Sequence, residues 1–234
     1  YKIVMANVIK LRKGLDIHLT GKVESTQVTS LKSKKYAVVP DSFGGVIPKV
    51  LVREGDHVKA GDALFVNKRY PEEKFASPVS GEVTAVVRGD RRKVLSIVIE
   101  ADEKQEYIDF GQRNVETLTG DEVKQALLEA GLFGFIQQLP YAVATTPDTL
   151  PRDIFVSAFR DMPLAADFEV ELKGHEAEFQ AGLTALSKMQ TTHLSVHKRQ
   201  TATALLQAKG VELHVIDGKC PAGNVGVQIN HIAP

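Results

Sequence analysis

His193, His197 and His214 are the side chains of this chain best suited by type to hold a metal. His193 and His197 lie four apart, a spacing that aligns two ligands on a helix, but their segment HLSVH reads as a strand, where alternate residues share a face. Both can still point the same way, and His214 on a neighbouring strand can approach them. With no cysteine or carboxylate trio in the pattern, hydrogen-bonded or solvent-facing histidines are expected and no metal is assigned. Cys220, beside Pro221 and near Gly218 and Lys219, is the single cysteine; a small half-buried thiol is a plainer reading than an activated one. Ser80 and Ser96 fall in turn or strand contexts and Ser157 in an apolar run, none within the GxSxG of a nucleophile elbow. No nucleophile, base and orienting group can be assembled, so no catalytic residue is assigned. A dinucleotide site needs a glycine-rich turn between a strand and a helix, so that the backbone can approach pyrophosphate. After IFVSAF (154–159) comes RDMPLAADFEVELKGHEAEF, a longer connection without GxGxxG, and no cofactor-binding residue is assigned. Gly223-Asn224-Val225-Gly226 has the composition of an anion-holding nest, and Gly44-Gly45 that of a close ligand approach; a glycine turn and a hairpin or bulge are the simpler readings.

The elements that must position these residues fall into two groups. From Tyr36 to Glu100 the hydrophobic period is close to two, with turn signals at Pro40-Asp41, Gly44-Gly45, Glu54-Gly55-Asp56, Gly61-Asp62, Ser80-Gly81 and Gly89-Asp90, the pattern of an all-β module. EGDHVKAGDALF (54–65) and SPVSGEV (77–83) set Gly55, Gly61 and Gly81 among Val50, Val52, Val58, Leu64, Val66, Val79 and Val83, as tight turns between short half-buried strands require. This stretch resembles the biotinyl/lipoyl-type barrel sandwich, a family that carries its prosthetic group on a hairpin lysine in an acidic-Asp-Lys context. The corresponding place here is Pro71, in NKRYPEEK. Lys68 and Lys74 flank that tip without the expected neighbours, so neither biotin nor lipoate is expected.

ADEKQEYIDFGQRN (101–114) breaks the strand rhythm and places a boundary near residue 105: an N-terminal arm and all-β module over 1–105, then a Rossmann-like α/β domain over 106–234. In the arm, Ile3, Met5, Val8, Ile9 and Leu11 suggest a strand ahead of Gly14, and LDIHLT a second strand or extended segment before Gly21. Thr119 and Glu122 form a capping box ahead of a helix over 120–130, while Pro140, Pro147 and Pro151 forbid regular structure over 137–153. Strand 154–159, helix 176–189 with Phe179, Leu183 and Leu186 on one face, strand 193–197, a helix over 198–210 stopped by Gly210, and strand 211–217 imply a parallel sheet with crossovers, a half-Rossmann arrangement. The fold class expected is α/β plus β.

Lys+Arg and Asp+Glu are equal at 29 each, so no global field recruits nucleic acid, which is not expected as a partner. No stretch approaches the roughly 18 apolar residues that span a bilayer, and the opening YKIVMANVIKLRKG has too short an apolar run for a secretory signal. One cysteine excludes internal disulfides and an all-cysteine iron–sulfur cluster, and a soluble, cytoplasmic chain is expected. Arg88, Arg91, Arg92 and Lys93 make a basic tip on the all-β module, and Lys32, Lys34 and Lys35 another: solvated loops first, docking points for acidic patches or lipid head groups second.

IKLRKGLDIHLTGK, a barrel sandwich, then IFVSAFRDMPLAADFEV, EFQAGLTALSK and CPAGNVGVQINHIAP together resemble the A-subunit family of the sodium-translocating NADH:quinone oxidoreductases over essentially the whole chain. PLAAD, AGLTALS and PAGNVG are ordinary words alone and diagnostic together. Residues before about Ala6 extend beyond the usual start, and the family's members are longer, so the chain reads as an N-terminal fragment lacking the C-terminal half. The resemblance implies a peripheral subunit on the cytoplasmic face of the bacterial inner membrane, in a complex that passes electrons from NADH to quinone (ubiquinone) and exports sodium. It also implies distant kinship with the flavin-bearing NADH-oxidising subunit of respiratory complex I and the cluster-bearing C subunit of the Rnf complex, with the cofactor sites lost. NADH, flavins, iron–sulfur centres and sodium then belong to other subunits, integral-membrane ones among the partners, and quinone reduction is associated with this one. Phe133, Phe135, Leu139 and Tyr141 are apolar enough to line a quinone pocket, and core packing explains them equally well, so no residue is assigned to quinone. Docking through its rigid hairpins is the role expected of an all-β module with nothing to carry. Two rivals are a biotinyl/lipoyl-like carrier or adaptor module and a stand-alone NAD-dependent oxidoreductase, which would need the missing dinucleotide loop.

Overall fold

The computed structural model describes residues 7–17, 19–20 and 29–234; expectations resting on Ile3, Met5, His18 and Gly21 lie outside them. The strands are β1 (Asn7–Lys10), β2 (Lys35–Val38), β3 (Pro48–Val50), β4 (His57–Val58), β5 (Ala63–Asn67), β6 (Lys74–Ala76), β7 (Gly81–Arg88) and β8 (Val94–Ala101). They continue with β9 (Gln137–Gln138), β10 (Val143–Ala144), β11 (Ile154–Ala158), β12 (Thr192–His197) and β13 (Glu212–Asp217). The helices are α1 (Gly120–Glu129), α2 (Phe168–Leu172), α3 (Glu176–Met189), α4 (Thr203–Leu206) and α5 (Val225–Ile232). The described residues of 29–113 and 124–150 form one compact unit, and those of 1–28, 114–123 and 151–234 the other.

The first unit is the expected barrel sandwich. An antiparallel sheet ordered β2-β8-β7-β4 faces a three-stranded sheet ordered β3-β5-β6. Their alternating inward positions build a core of Val58, Leu64, Phe65, Phe75, Val83, Val94, Ile97 and Ile99, in which the Phe65 and Phe75 rings stack with centroids 4.5 Å apart. The β7–β8 ladder shifts register between Val83 and Ala85 and again between Val87 and Arg88, the bulges that bend a hairpin around a closed core. Gly55 and Gly61 sit at φ +89° and +102°, the left-handed turns their sequence context demands. Gly81 is required for another reason, since a Cβ there would stand 2.0 Å from the Glu100 carbonyl oxygen. The proline-rich stretch corrects the expectation of wholly irregular chain: β9 and β10 pair antiparallel, because the prolines flank their ladder positions and leave the donors in place.

The second unit holds a four-stranded parallel sheet ordered β1-β13-β12-β11. Asn7–Lys10, grouped by the sequence with the arm ahead of the all-β module, pairs instead with His214–Asp217. Alternation marks a strand without naming its partner. No ladder forms at Leu15–Ile17, where Leu15 N donates to Cys220 O at 3.0 Å. α3 lays Phe179 and Leu183 against Ala158, Leu194, Val196 and Leu205. The helix expected over 198–210 shrinks to the single turn α4, because Gln200 Oε1 accepts from the Thr201 and Ala202 amides at 2.9 and 2.8 Å and bends the chain before Thr203. The capping box forms as expected: Thr119 N donates to Glu122 Oε2 at 2.8 Å and Glu122 N to Thr119 Oγ1 at 3.3 Å. α2 and α5 are additional, capped by Asp167 and Asn224.

Candidate functional site

A carrier lysine would stand on the β5–β6 hairpin, and that hairpin is closed on itself. Asn67 and Glu73 are fully buried, Asn67 Nδ2 donates to Glu73 Oε2 at 2.8 Å, and Tyr70 Oη donates to Asp148 Oδ2 at 2.8 Å. Glu73 Oε1 has no partner, and burial pushes this carboxyl above its ordinary range. Pro71 at the tip has no amine, Lys68 is exposed on the approach, and Lys74 lies within β6. Ser80 Oγ accepts from Glu106 N at 2.8 Å, and Ser96 is a ladder residue of β8. Phe133 is core at 3% exposure, whereas Phe135 and Tyr141 stand 65% and 79% exposed with Leu139 at 37%, so these four do not close around a common pocket. At the basic tip, Lys93 pairs with Asp41 at 2.6 Å and Arg88 donates to Arg92 O at 3.2 Å.

A second place follows from parallel topology. β1, β13, β12 and β11 end on one edge of their sheet, where open parallel sheets bind ligands. A cavity of about 680 Å³ opens there, lined by the residues just beyond each strand: 11–14, 159–161, 198–199 and 218–219, with Lys10, Asp16, His197 and Asp217. Lysine and arginine outnumber aspartate along this lining, with Lys198 paired to Asp217 at 2.8 Å and Arg160 to Glu171 at 2.7 Å. His197 lies tilted by 36° against Phe159 with ring centroids 4.7 Å apart, its pKa lowered by burial and then by Arg199. Cys220 is not activated: burial and then the Asp161 carboxylate push its thiol up. Gly223–Gly226 is no vacant nest either. Gly223 N already donates to Asp161 Oδ2 at 2.8 Å, and the Gly226 and Val227 amides donate to Asn224 Oδ1 at 2.9 and 3.3 Å. The connection from β11 to α3 has no GxGxxG and carries α2, and of that connection Phe159, Arg160 and Asp161 line the cleft, which has the place and charge of an anion pocket.

The third place is the opposite, N-terminal end of the same sheet. His193 Nδ1 lies 2.9 Å from His214 Nε2 and 3.3 Å from Glu212 Oε2, while His193 Nε2 lies 3.8 Å from Asp153 Oδ1. The structure thus joins His193 to His214 and leaves His197 in the cleft. Glu212 is not among the candidates the sequence singles out, although alternation along VELHVID already puts it on the face of His214. Ser157 Oγ donates to Phe159 O at 3.5 Å and serves the backbone. Among the described residues no helix is long and apolar enough to cross a membrane.

The family described as NqrA N-terminal barrel-sandwich hybrid domain matches residues 9–102, and that described as NqrA second alpha/beta domain matches 118–234. The chain is 34% identical over 230 residues to the A subunit of the Na(+)-translocating NADH-quinone reductase of Histophilus somni, covering 97% of this chain and 52% of that protein. The same-named proteins of Haemophilus influenzae and Actinobacillus pleuropneumoniae are 35% and 33% identical over 233 residues, each again covering 97% of this chain and 52% of the relative. The chain therefore spans about half the length of these curated relatives. Strands β2 to β8 of the barrel sandwich fall within the first match and β11, β12 and β13 of the parallel sheet within the second, while residues 124–150, inside the second match, belong to the barrel-sandwich unit; the chain belongs to the family of Na+-translocating NADH-quinone reductase A subunits.

Proposed function

We propose that this chain is the N-terminal part of a peripheral subunit, on the cytoplasmic face of the membrane, of a complex that passes electrons from NADH to quinone and exports sodium. In this reading it holds no flavin, dinucleotide, iron–sulfur cluster or covalent prosthetic group, docks to integral-membrane partners through its rigid hairpins, assists quinone chemistry that the assembled complex performs, and is inactive alone. The observation that carries the reading is the closed β5–β6 tip: the scaffold of a carrier is present, but Pro71 stands at the attachment place and the Asn67–Glu73 bond locks the turn beneath it. The cleft at the C-terminal edge of the parallel sheet adds support, because a basic pocket lies there beside a β11–α3 connection without GxGxxG.

The test uses a host competent for biotin, lipoate and flavin. The purified chain is expected to show its unmodified mass, no visible absorbance and no NADH oxidation. The full-length protein is expected to co-purify with detergent-solubilised membranes, and its removal to abolish sodium-dependent NADH:quinone activity. A yellow protein, an added prosthetic mass or unaided NADH oxidation overturns the reading.

A further inference from the structure

We propose that His193, Glu212 and His214 form a site for one divalent first-row transition cation of the zinc class, at the N-terminal end of the parallel sheet. One ligand atom from each of the three lies within 4.8 Å of the others. Parallel pairing produces this convergence: His193 is opposite Glu212 and Ser195 opposite His214, so the three side chains leave one face from two adjacent strands. Both strands are interior to the sheet, with β1 and β11 outside them, which makes the support rigid.

The surroundings of His193 are those a metal-binding imidazole needs, while Nδ1 of His214 is buried with no hydrogen-bond partner. Phe155 stacks on the His193 ring at 4.7 Å and 16°, fixing its plane, and Asp153 faces the far nitrogen of that ring, the place of the carboxylate that orients a ligating histidine. The two imidazoles are buried, each residue 7% exposed, whereas the Glu212 side chain is 62% exposed. The site is walled on the protein side and open toward solvent, which leaves an entry path and a fourth position for water or a partner's side chain.

Hydrogen bonding satisfies this cluster poorly. With both rings neutral, one hydrogen between His193 Nδ1 and His214 Nε2 either leaves a lone pair facing the Glu212 carboxylate or is shared between two acceptors. A cation meets all three lone pairs at once. Zinc bonds of about 2.0–2.1 Å at a tetrahedral angle separate two nitrogens by roughly 3.3 Å, so the rings need part by only a few tenths of an ångström from their 2.9 Å. Imidazole with carboxylate suits zinc and its first-row neighbours rather than calcium or magnesium, and zinc is redox-silent, so the site clamps β12 to β13 and carries no electrons.

The test takes the purified chain, strips it with chelator, and titrates it separately with zinc and cobalt(II). One equivalent is expected to bind, cobalt is expected to give the intense visible bands of a four-coordinate centre, and zinc is expected to raise the thermal midpoint. Glu212→Gln changes an exposed side chain and keeps the fold, checked by circular dichroism. It is expected to weaken zinc by more than the about 10- to 100-fold that loss of an orienting carboxylate costs, the effect expected for Asp153→Asn. His214→Gln is expected to abolish binding, and His197→Gln and Cys220→Ser to leave it unchanged. Zinc binding undiminished in Glu212→Gln, no stoichiometric binding, or only the pale spectrum of aqueous cobalt would overturn the proposal and leave a hydrogen-bonded histidine pair.

Discussion

Glu73 is the residue whose environment departs furthest from its appearance. In PEEK it reads as one more surface charge, yet it is fully buried, with one oxygen bonded to Asn67 and the other unpartnered. Desolvation is the main cause of its raised pKa; the Asn67 bond opposes it and Glu72 adds to it. A carboxyl raised in the folded state contributes stability below its unfolded value, and that contribution is lost as pH rises through the folded value. Glu73→Gln keeps an acceptor for Asn67 and removes the charge. It is therefore expected to stabilise the chain at neutral pH by on the order of 1 kcal/mol, about 2–4 °C in Tm, with the gain vanishing on acidification toward the unfolded carboxylate range. A Tm difference that stays constant with pH would mean that the carboxyl has the same pKa folded and unfolded, so that burial does not raise it. His197 shows the same limit of one-dimensional reading: its type suggested a ligand beside His193, while its end of β12 delivers it to the cleft.

Strands and turns were the most legible features, because hydrophobic alternation and glycine placement are local. Gly55, Gly61 and Gly81 stood out together in the sequence, but they serve two different ends. Gly55 at φ +89° has nothing within 4 Å of an added Cβ, so Gly55→Ala bears only backbone strain of about 1–2 kcal/mol. Gly81→Ala drives a methyl into the Glu100 carbonyl of the neighbouring strand and must separate β7 from β8. Urea unfolding is expected to show a loss of more than about 3 kcal/mol for Gly81→Ala, clearly beyond that for Gly55→Ala; equal losses would mean that the ladder yields. Helices were less legible. The Thr119–Glu122 box announced α1, but α2 and α5 are short and capped by Asp167 and Asn224, residues that also suit plain turns. α4 was overdrawn because Gln200 bonding to the backbone is a competition that periodicity does not register.

For the molecule as a whole, the emptied-scaffold reading makes a thermodynamic prediction. A ligand that binds only the folded state at about 100 times its Kd stabilises by about 2.7 kcal/mol, which for a chain of this size is a shift of roughly 5–10 °C. NADH, NAD+ and FMN are each expected to leave the melting curve unmoved by differential scanning fluorimetry, because the β11–α3 connection carries no GxGxxG for their phosphates. A shift of several degrees with any of them would show that the basic cleft works as a nucleotide site. Zinc, by contrast, is expected to move the curve, and does so independently of whether the cofactor-free reading holds.

The order of amino acids was enough to specify the two fold classes, their strands and most of their turns, and the family, because each depends on neighbours in the chain or on words in series. The partner of β1, the assembly of the cleft, the burial of Glu73 and the meeting of His193, Glu212 and His214 were settled by folding. Each of those joins groups separated along the chain, and the energy that selects one pairing over another comes from the packed sheet, which no window of sequence contains.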